Sequence, residues 1–194
     1  MIDLEPAARR TAELVRGVPD ELLAAPTPCP AYSVGDLLEH IGGLALAFAA
    51  AAAKADGHLT SQAPVGDASR LPADWRTRIP SDLVALAQAW RDPAAWDGMT
   101  KVGGVDLPGE VAGLVALDEI VIHGWDVAMA SGQSFDYDAE SLGVVHGFVL
   151  ESAAPEQEAM RDGVFGPVVP VADDAPLVDR IVGLAGRNPA WSPR

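Results

Sequence analysis

Gly109-Glu-Val-Ala-Gly-Leu-Val-Ala-Leu-Asp-Glu119-Ile-Val-Ile-His123-Gly-Trp-Asp126-Val-Ala-Met-Ala-Ser131 is the stretch that decides the fold. Its apolar residues, from Val111 and Leu114 through Ile120 and Ile122 to Trp125 and Met129, fall on every side of a helix of 3.6 residues per turn. A helix with so little polar face belongs at the centre of a fold. Pro108 suits the first helical position, where its missing amide hydrogen costs nothing. Gly132 suits the residue just past the end.

Outward from this helix, Ser33 reads as the N-cap of a second one, with the Asp36 carboxylate near its N-terminus. Its apolar positions Val34, Leu37, Leu38, Ile41, Leu44 and Phe48 have core-facing spacing. Alanines 49–53 prolong it. Residues 4–24 carry a helical stripe that Gly17 and Pro19 interrupt, and a further helix is expected over 138–152. Pro26, Pro28 and Pro30 make a rigid loop, and residues 56–80 read as a long one. Ser81 is expected to cap a helix over 82–90. Residues 94–107 are turn-rich, with Gly103-Gly104 as a candidate hairpin turn. Beyond Pro155, residues 165–171 look extended, and Asp174 is expected to cap a last helix that ends near Gly186. Four long helices, short ones between them and no strand series predict an all-α bundle. The expected division is a bundle over residues 1–155 and a C-terminal extension over 156–194 that packs on it.

Composition narrows the functional classes. The chain has 194 residues, 49% of them hydrophobic, enough for a full core. It carries 28 acidic against 13 basic residues, a net charge of −15. Nucleic-acid affinity rests on neutralising phosphates, so DNA and RNA are excluded as expected partners, and an anionic membrane is disfavoured for the same reason. Cys29 is the one cysteine, so no intrachain disulfide framework exists. The first residues lack the basic start and apolar run of a signal peptide, which makes the cytoplasm the expected compartment. The apolar run Ile41–Ala53 looks too short to cross a bilayer.

Glu119 and His123 stand four apart and so share a face of the central helix. Carboxylates are costly to bury without a partner. His40 lies on the apolar stripe of its own helix, among Leu37, Ile41 and Leu44, and so also points inward. Bundles build metal sites from inward side chains on facing helices. Two imidazoles and a carboxylate are a three-ligand set suited to zinc with a fourth position open; nickel, iron and manganese fit the same donors. A hydrogen-bonded core histidine and a solvated Glu–His pair are the plainer readings of the same residues.

Asp126 is placed either to orient His123 or to pair with an Arg or Lys. Cys29, before the His40 helix, is either a reactive thiol or a buried inert one. His58 reads as solvated and His146 as structural, and Trp90 and Trp125 read as core fillers.

The segments Thr27-Pro-Cys-Pro-Ala-Tyr-Ser-Val-Gly-Asp-Leu-Leu-Glu-His40-Ile-Gly-Gly and Glu119-Ile-Val-Ile-His123-Gly-Trp-Asp126-Val-Ala-Met-Ala-Ser-Gly132 resemble signature segments of the actinobacterial maleylpyruvate isomerase-like family, within the DinB-like group. Phe165-Gly-Pro and Gly186-Arg187-Asn-Pro with Trp191 resemble the tail of one branch. The resemblance implies a DinB-like four-helix bundle with a metal triad at His40, Glu119 and His123. It also implies mycothiol, a low-molecular-weight thiol, as co-substrate, with a small electrophile as its partner in a transferase or isomerase reaction. About 40 residues follow the last bundle helix, fewer than the additional C-terminal domain of the mycothiol-dependent isomerase needs. A metal-dependent hydrolase, a non-catalytic metal- or ligand-binding module, and a homodimer acting through its surface remain open readings.

Overall fold

The computed structural model describes residues 1–157, 161 and 164–193. Its helices are α1 (Glu5–Arg16), α2 (Val34–Ala52), α3 (His58–Ser61), α4 (Trp75–Ala89), α5 (Pro93–Trp96), α6 (Gly109–Ser131), α7 (Ala139–Ser152) and α8 (Leu177–Leu184). A hairpin, β1 (Met99–Val102) and β2 (Val105–Pro108), precedes α6. Among the described residues the fold is thus helical, with a single two-stranded sheet.

Local chemistry sets the ends of the two site-bearing helices. Ser33 and Asp36 form a capping box at α2: the Asp36 amide donates to the Ser33 hydroxyl at 3.3 Å, and the Ser33 amide donates to the Asp36 carboxylate at 3.0 Å. Pro108 is the cap of α6 rather than its first residue, and Gly132 ends α6 in the left-handed region at φ +69°. The candidate hairpin is present. Val102 pairs with Val105 across Gly103 and Gly104, both at positive φ, as a tight two-residue turn requires. Thr100 donates to the Ala51 carbonyl at 2.6 Å and fastens the hairpin to the end of α2.

Helices α1, α4, α2 and α6 close a ring in which each packs on the next. α7 packs outside the ring, on α6, and α8 packs on α7. The ring's fourth member is therefore α4, which the sequence reading shortened. α4 begins at Trp75, not after Ser81, and runs straight through Pro80. Ser81 lies inside it, and its hydroxyl donates to the Thr77 carbonyl at 3.0 Å. The apolar stripe Trp75, Ile79, Leu83, Leu86 is buried against the ring, and that burial outweighs the hydrogen bond that Pro80 cannot make. Residues 56–80 are accordingly no simple loop; they also contain α3 and a 3-10 turn over Ala68–Arg70. The last helix starts after Pro176, not at Asp174.

α2 is longer than the apolar run Ile41–Ala53 suggested, and it is a core helix. Its 19 residues are long and apolar enough to cross a bilayer by length and composition, but most of it is buried within the protein. Phe48 and Leu37 are fully enclosed. The tryptophans act as core fillers, as expected: Trp125 is buried, and the buried Trp90 indole donates to the Phe48 carbonyl at 3.1 Å.

Candidate metal centre

α2 and α6 pack directly, and their contact brings the three residues singled out from sequence to one point. A ligand atom from each of His40, Glu119 and His123 lies within 4.8 Å of the others. The two imidazoles meet nearly at right angles, with centroids 5.0 Å apart. His123 Nε2 stands 3.1 Å from a Glu119 carboxylate oxygen. His40 and His123 are buried, while the Glu119 side chain keeps 22% of its surface exposed. The cluster therefore has a protein-enclosed side and a side open to a small molecule.

His40 Nδ1 is buried with no hydrogen-bond partner among the described residues. Such an orphan is uncommon in a folded protein. Two imidazole nitrogens and a carboxylate oxygen at these separations are a donor set that fits a divalent ion. Burial, and then the neighbouring His123, push His40 down to about 4, so its ring is neutral at pH 7 and able to ligate. Burial works against a charged His123 too, but hydrogen bonds to Asp126 and Glu119 overcome it and raise His123 to about 9. The same pairing holds Glu119 below its ordinary value despite burial.

The Asp126 carboxylate lies 3.0 Å from His123 Nδ1, the nitrogen turned away from Glu119. Both sequence readings of Asp126 are realised together. It also receives the Arg187 guanidinium, with Nη2 donating to Oδ2 at 3.0 Å and Nε to Oδ1 at 3.4 Å. Asp126 is fully buried; burial would raise its carboxyl, but Arg187 and His123 hold it low. Arg187 appeared in the sequence only within the tail motif. Its one signal was a basic residue at the end of an apolar C-terminal helix.

Asp118 was also missed. It is buried beside Glu119, its Oδ1 has no partner among the described residues, and burial together with the Glu119 charge pushes its carboxyl well above the usual range. Two adjacent carboxylates inside an otherwise apolar run were the available signal.

Around the triad, the Tyr32 ring lies 4.9 Å from that of His40. Cys29 is half-buried on the loop before α2, and burial raises its thiol while Arg187 opposes the rise. A raised thiol holds less of the reactive thiolate form. An apolar crevice between α2, α4 and α6 is lined by Ile41, Leu44, Phe48, Leu83, Leu86 and Ala116, with Glu119 in its wall. His58 is exposed at the start of α3. His146 sits on α7, half-buried, with its Nε2 unpartnered.

Fold and side chains together define a class: helical-bundle proteins in which two imidazoles and a carboxylate from facing helices converge on one buried point. The membership is more specific than that. The chain belongs to the mycothiol maleylpyruvate isomerase N-terminal domain family, whose model matches residues 4–128. An uncharacterized protein found in two strains of Mycobacterium tuberculosis is 26% identical over 191 residues, covering 91% of both chains. Among solved structures, the chain resembles the mycothiol-dependent maleylpyruvate isomerase (TM-score 0.57) and a histidine-to-alanine variant of it (TM-score 0.59), each at 14% identity. These matches cover 75% of this chain and 66% of the isomerase, just under two thirds of its length. At that identity the likeness is one of fold.

Proposed function

We propose that this protein is a metal-dependent enzyme of thiol chemistry, using mycothiol in a transferase or isomerase reaction on a small electrophile. His40, Glu119 and His123 would hold one divalent ion, zinc in the first instance, with nickel, iron and manganese as chemical alternatives. The reading is carried by one observation: the three donors come from two different helices and still meet within 4.8 Å.

Each residue has a distinct task. His40 is already neutral at pH 7 and offers a nitrogen with no competing partner. Asp126 accepts from His123 Nδ1, which fixes the tautomer and leaves Nε2 as the donor atom. Glu119 supplies the anionic ligand from the partly exposed side. When bound, a divalent ion supplies Lewis acidity that lowers the pKa of a thiol or water beside it. The surrounding charges suit an anion there. Glu119 and Asp126 contribute −2 and Arg187 +1, so a divalent ion leaves the cluster at +1, which one thiolate neutralises. Tyr32 and the apolar crevice would exclude bulk water around a small substrate.

In an isomerisation the thiolate adds to an activated carbon–carbon double bond and departs again after rotation. In a transfer the new carbon–sulfur bond persists and a leaving group takes the electron pair. Family membership favours thiol chemistry over the hydrolytic alternative. The test is metal analysis of the purified protein, followed by assay with mycothiol against maleyl-type and chlorinated electrophiles. A stoichiometric metal and thiol-dependent turnover are expected. A metal-loaded protein that hydrolyses esters or amides without mycothiol would move the reading to the hydrolase, and one that turns over nothing would leave a binding module.

A further inference from the structure

The C-terminal segment contributes to the centre. Arg187 is buried, at 8% exposure, although it lies 61 residues beyond Asp126 and outside the four-helix ring. Its position is fixed by the way α8 ends. Gly186 takes φ +82°, and the Arg187 amide donates back to the Val182 carbonyl at 2.8 Å. This is the reversal by which a left-handed glycine closes a helix and turns the next residue inward. A Cβ on Gly186 would meet Gly166 backbone atoms at 2.6 Å, so the close approach also demands glycine. Arg187 Nη1 donates to the Ala185 carbonyl at 2.9 Å, which leaves Nε and Nη2 directed at Asp126.

The resulting chain of contacts runs Arg187, Asp126, His123, Glu119. Without Arg187, Asp126 would be a fully buried carboxylate with His123 as its sole ionic partner. Arg187 holds both Asp126 oxygens, so its loss frees the carboxylate to turn from the orientation in which Oδ2 meets His123 Nδ1. That freedom leaves the His123 ring less firmly oriented.

We propose that Arg187 is a positioning residue of the metal centre: it acts through Asp126 to set the orientation and tautomer of the His123 ring, so the C-terminal segment tunes metal affinity. The proposal rests on the metal-binding reading above for its functional consequence, but its geometric core does not need a metal.

The test compares wild type with Arg187→Met, Arg187→Lys, Asp126→Asn and the double variant Asp126→Asn/Arg187→Met. Zinc affinity is measured by chelator competition, and the visible spectrum of the cobalt(II)-loaded protein reports ligand geometry. Loss of an outer partner of a metal-bound histidine typically costs 10- to 100-fold in affinity, so Asp126→Asn is expected to lose about that, and Arg187→Met, one contact further out, about 10-fold. Arg187→Lys keeps the charge without the fork, so it should fall between Arg187→Met and wild type. The double variant should bind no more weakly than the weaker single one, because both changes break the same link. Circular dichroism and thermal melts identify any variant that fails to fold, and the milder Arg187→Lys then carries the comparison.

Nitrogen-15 shifts of the His123 ring in metal-free protein supply an independent readout. The proposal expects the Nδ1 resonance to shift in Arg187→Met, as the Asp126 contact at 3.0 Å loses its fixed geometry. Unchanged zinc affinity, cobalt spectrum and ring shifts in folded Arg187 variants would overturn it. A wild type that binds no zinc would instead sink the functional reading, and the ring shifts would still decide the role of Arg187.

Discussion

α6 and α7 are both rich in apolar residues, yet they live in different surroundings. α6 buries 16 of its 23 residues, including Asp118, His123 and Asp126. α7 buries Ser141, Val145 and Val149 out of 14 and leaves Leu150 exposed. The difference lies in their neighbours. α6 is packed by α1, α2, α5, α7 and the hairpin, whereas α7 touches α6 and α8. A polar side chain on an enclosed helix must find its partner inside the protein. That is why Glu119, His123 and Asp126 of α6 form a connected cluster, and why the acidic residues of α7, Glu140 and Glu151, are left to solvent.

The sharpest way to break this contrast is to remove a donor from α6. Glu119→Ala and His123→Ala should each cost zinc affinity more than the ~100-fold expected for an outer partner, and thiol-dependent turnover should vanish with the metal. Zinc titration with a competing chelator checks both. Near-native zinc affinity in either variant would refute the assignment of that residue.

Packing gives the next largest effect. Leu117 on α6 is fully buried, so Leu117→Ala should destabilise the protein by roughly 2–5 kcal/mol. Leu150 on α7 is 53% exposed, so Leu150→Ala should stay within about 0.5 kcal/mol of wild type. Urea denaturation of the two variants side by side measures the contrast directly, and equal losses would show that α7 is covered in solution.

A pH series sharpens the comparison at the cluster itself. In metal-free protein His123 is raised from 6.5 to about 9, so its proton favours the folded state below pH 6.5, and that contribution is lost as pH rises through 9. His40 is lowered from 6.5 to about 4, so the unfolded chain binds the extra proton, and stability falls as pH drops through that window. Metal-free protein should therefore be most stable near pH 6.5 with respect to these two groups. Zinc must displace the His123 proton, so affinity should climb between pH 7 and 9 with release of one proton per ion. Calorimetry in buffers of different ionisation enthalpy counts that proton.

The smallest effect concerns the start of α2. Hydrogen bonds from the Ser33 hydroxyl and the Ala68 amide hold the Asp36 carboxyl below its ordinary value. Its contribution is present above the unfolded value and lost as pH falls through the folded one. Asp36→Asn should cost about 1 kcal/mol at pH 7 and flatten the acid limb of the stability curve.

Much of this was legible in the chain. Ser33 as the cap of α2 with Asp36 beside it, and Gly132 just past the end of α6, depend on residues close in sequence, so local chemistry announced them, and Gly103-Gly104 marked a candidate turn. The triad was legible for a related reason: helical spacing aligned Glu119 with His123, and the apolar stripe of α2 turned His40 inward. α4 was misread because Pro80 and Ser81 are strong local stop and start signals, and only the burial of Trp75 and Ile79 against the ring overrides them. The choice of α4 over α7 as fourth ring member was likewise invisible, since periodicity says that a helix has an apolar face but not which neighbour covers it.

The sequence by itself determined a helical protein with an enclosed central helix that ends at Gly132, and three donor residues on inward faces. The tertiary structure alone decided that those donors meet, that Asp118 is buried with an unpartnered oxygen, and that Arg187 reaches Asp126 across 61 residues of chain. The physical reason is range. Helical periodicity and capping act over a few residues, whereas the partner of a buried charge is set by how distant helices dock.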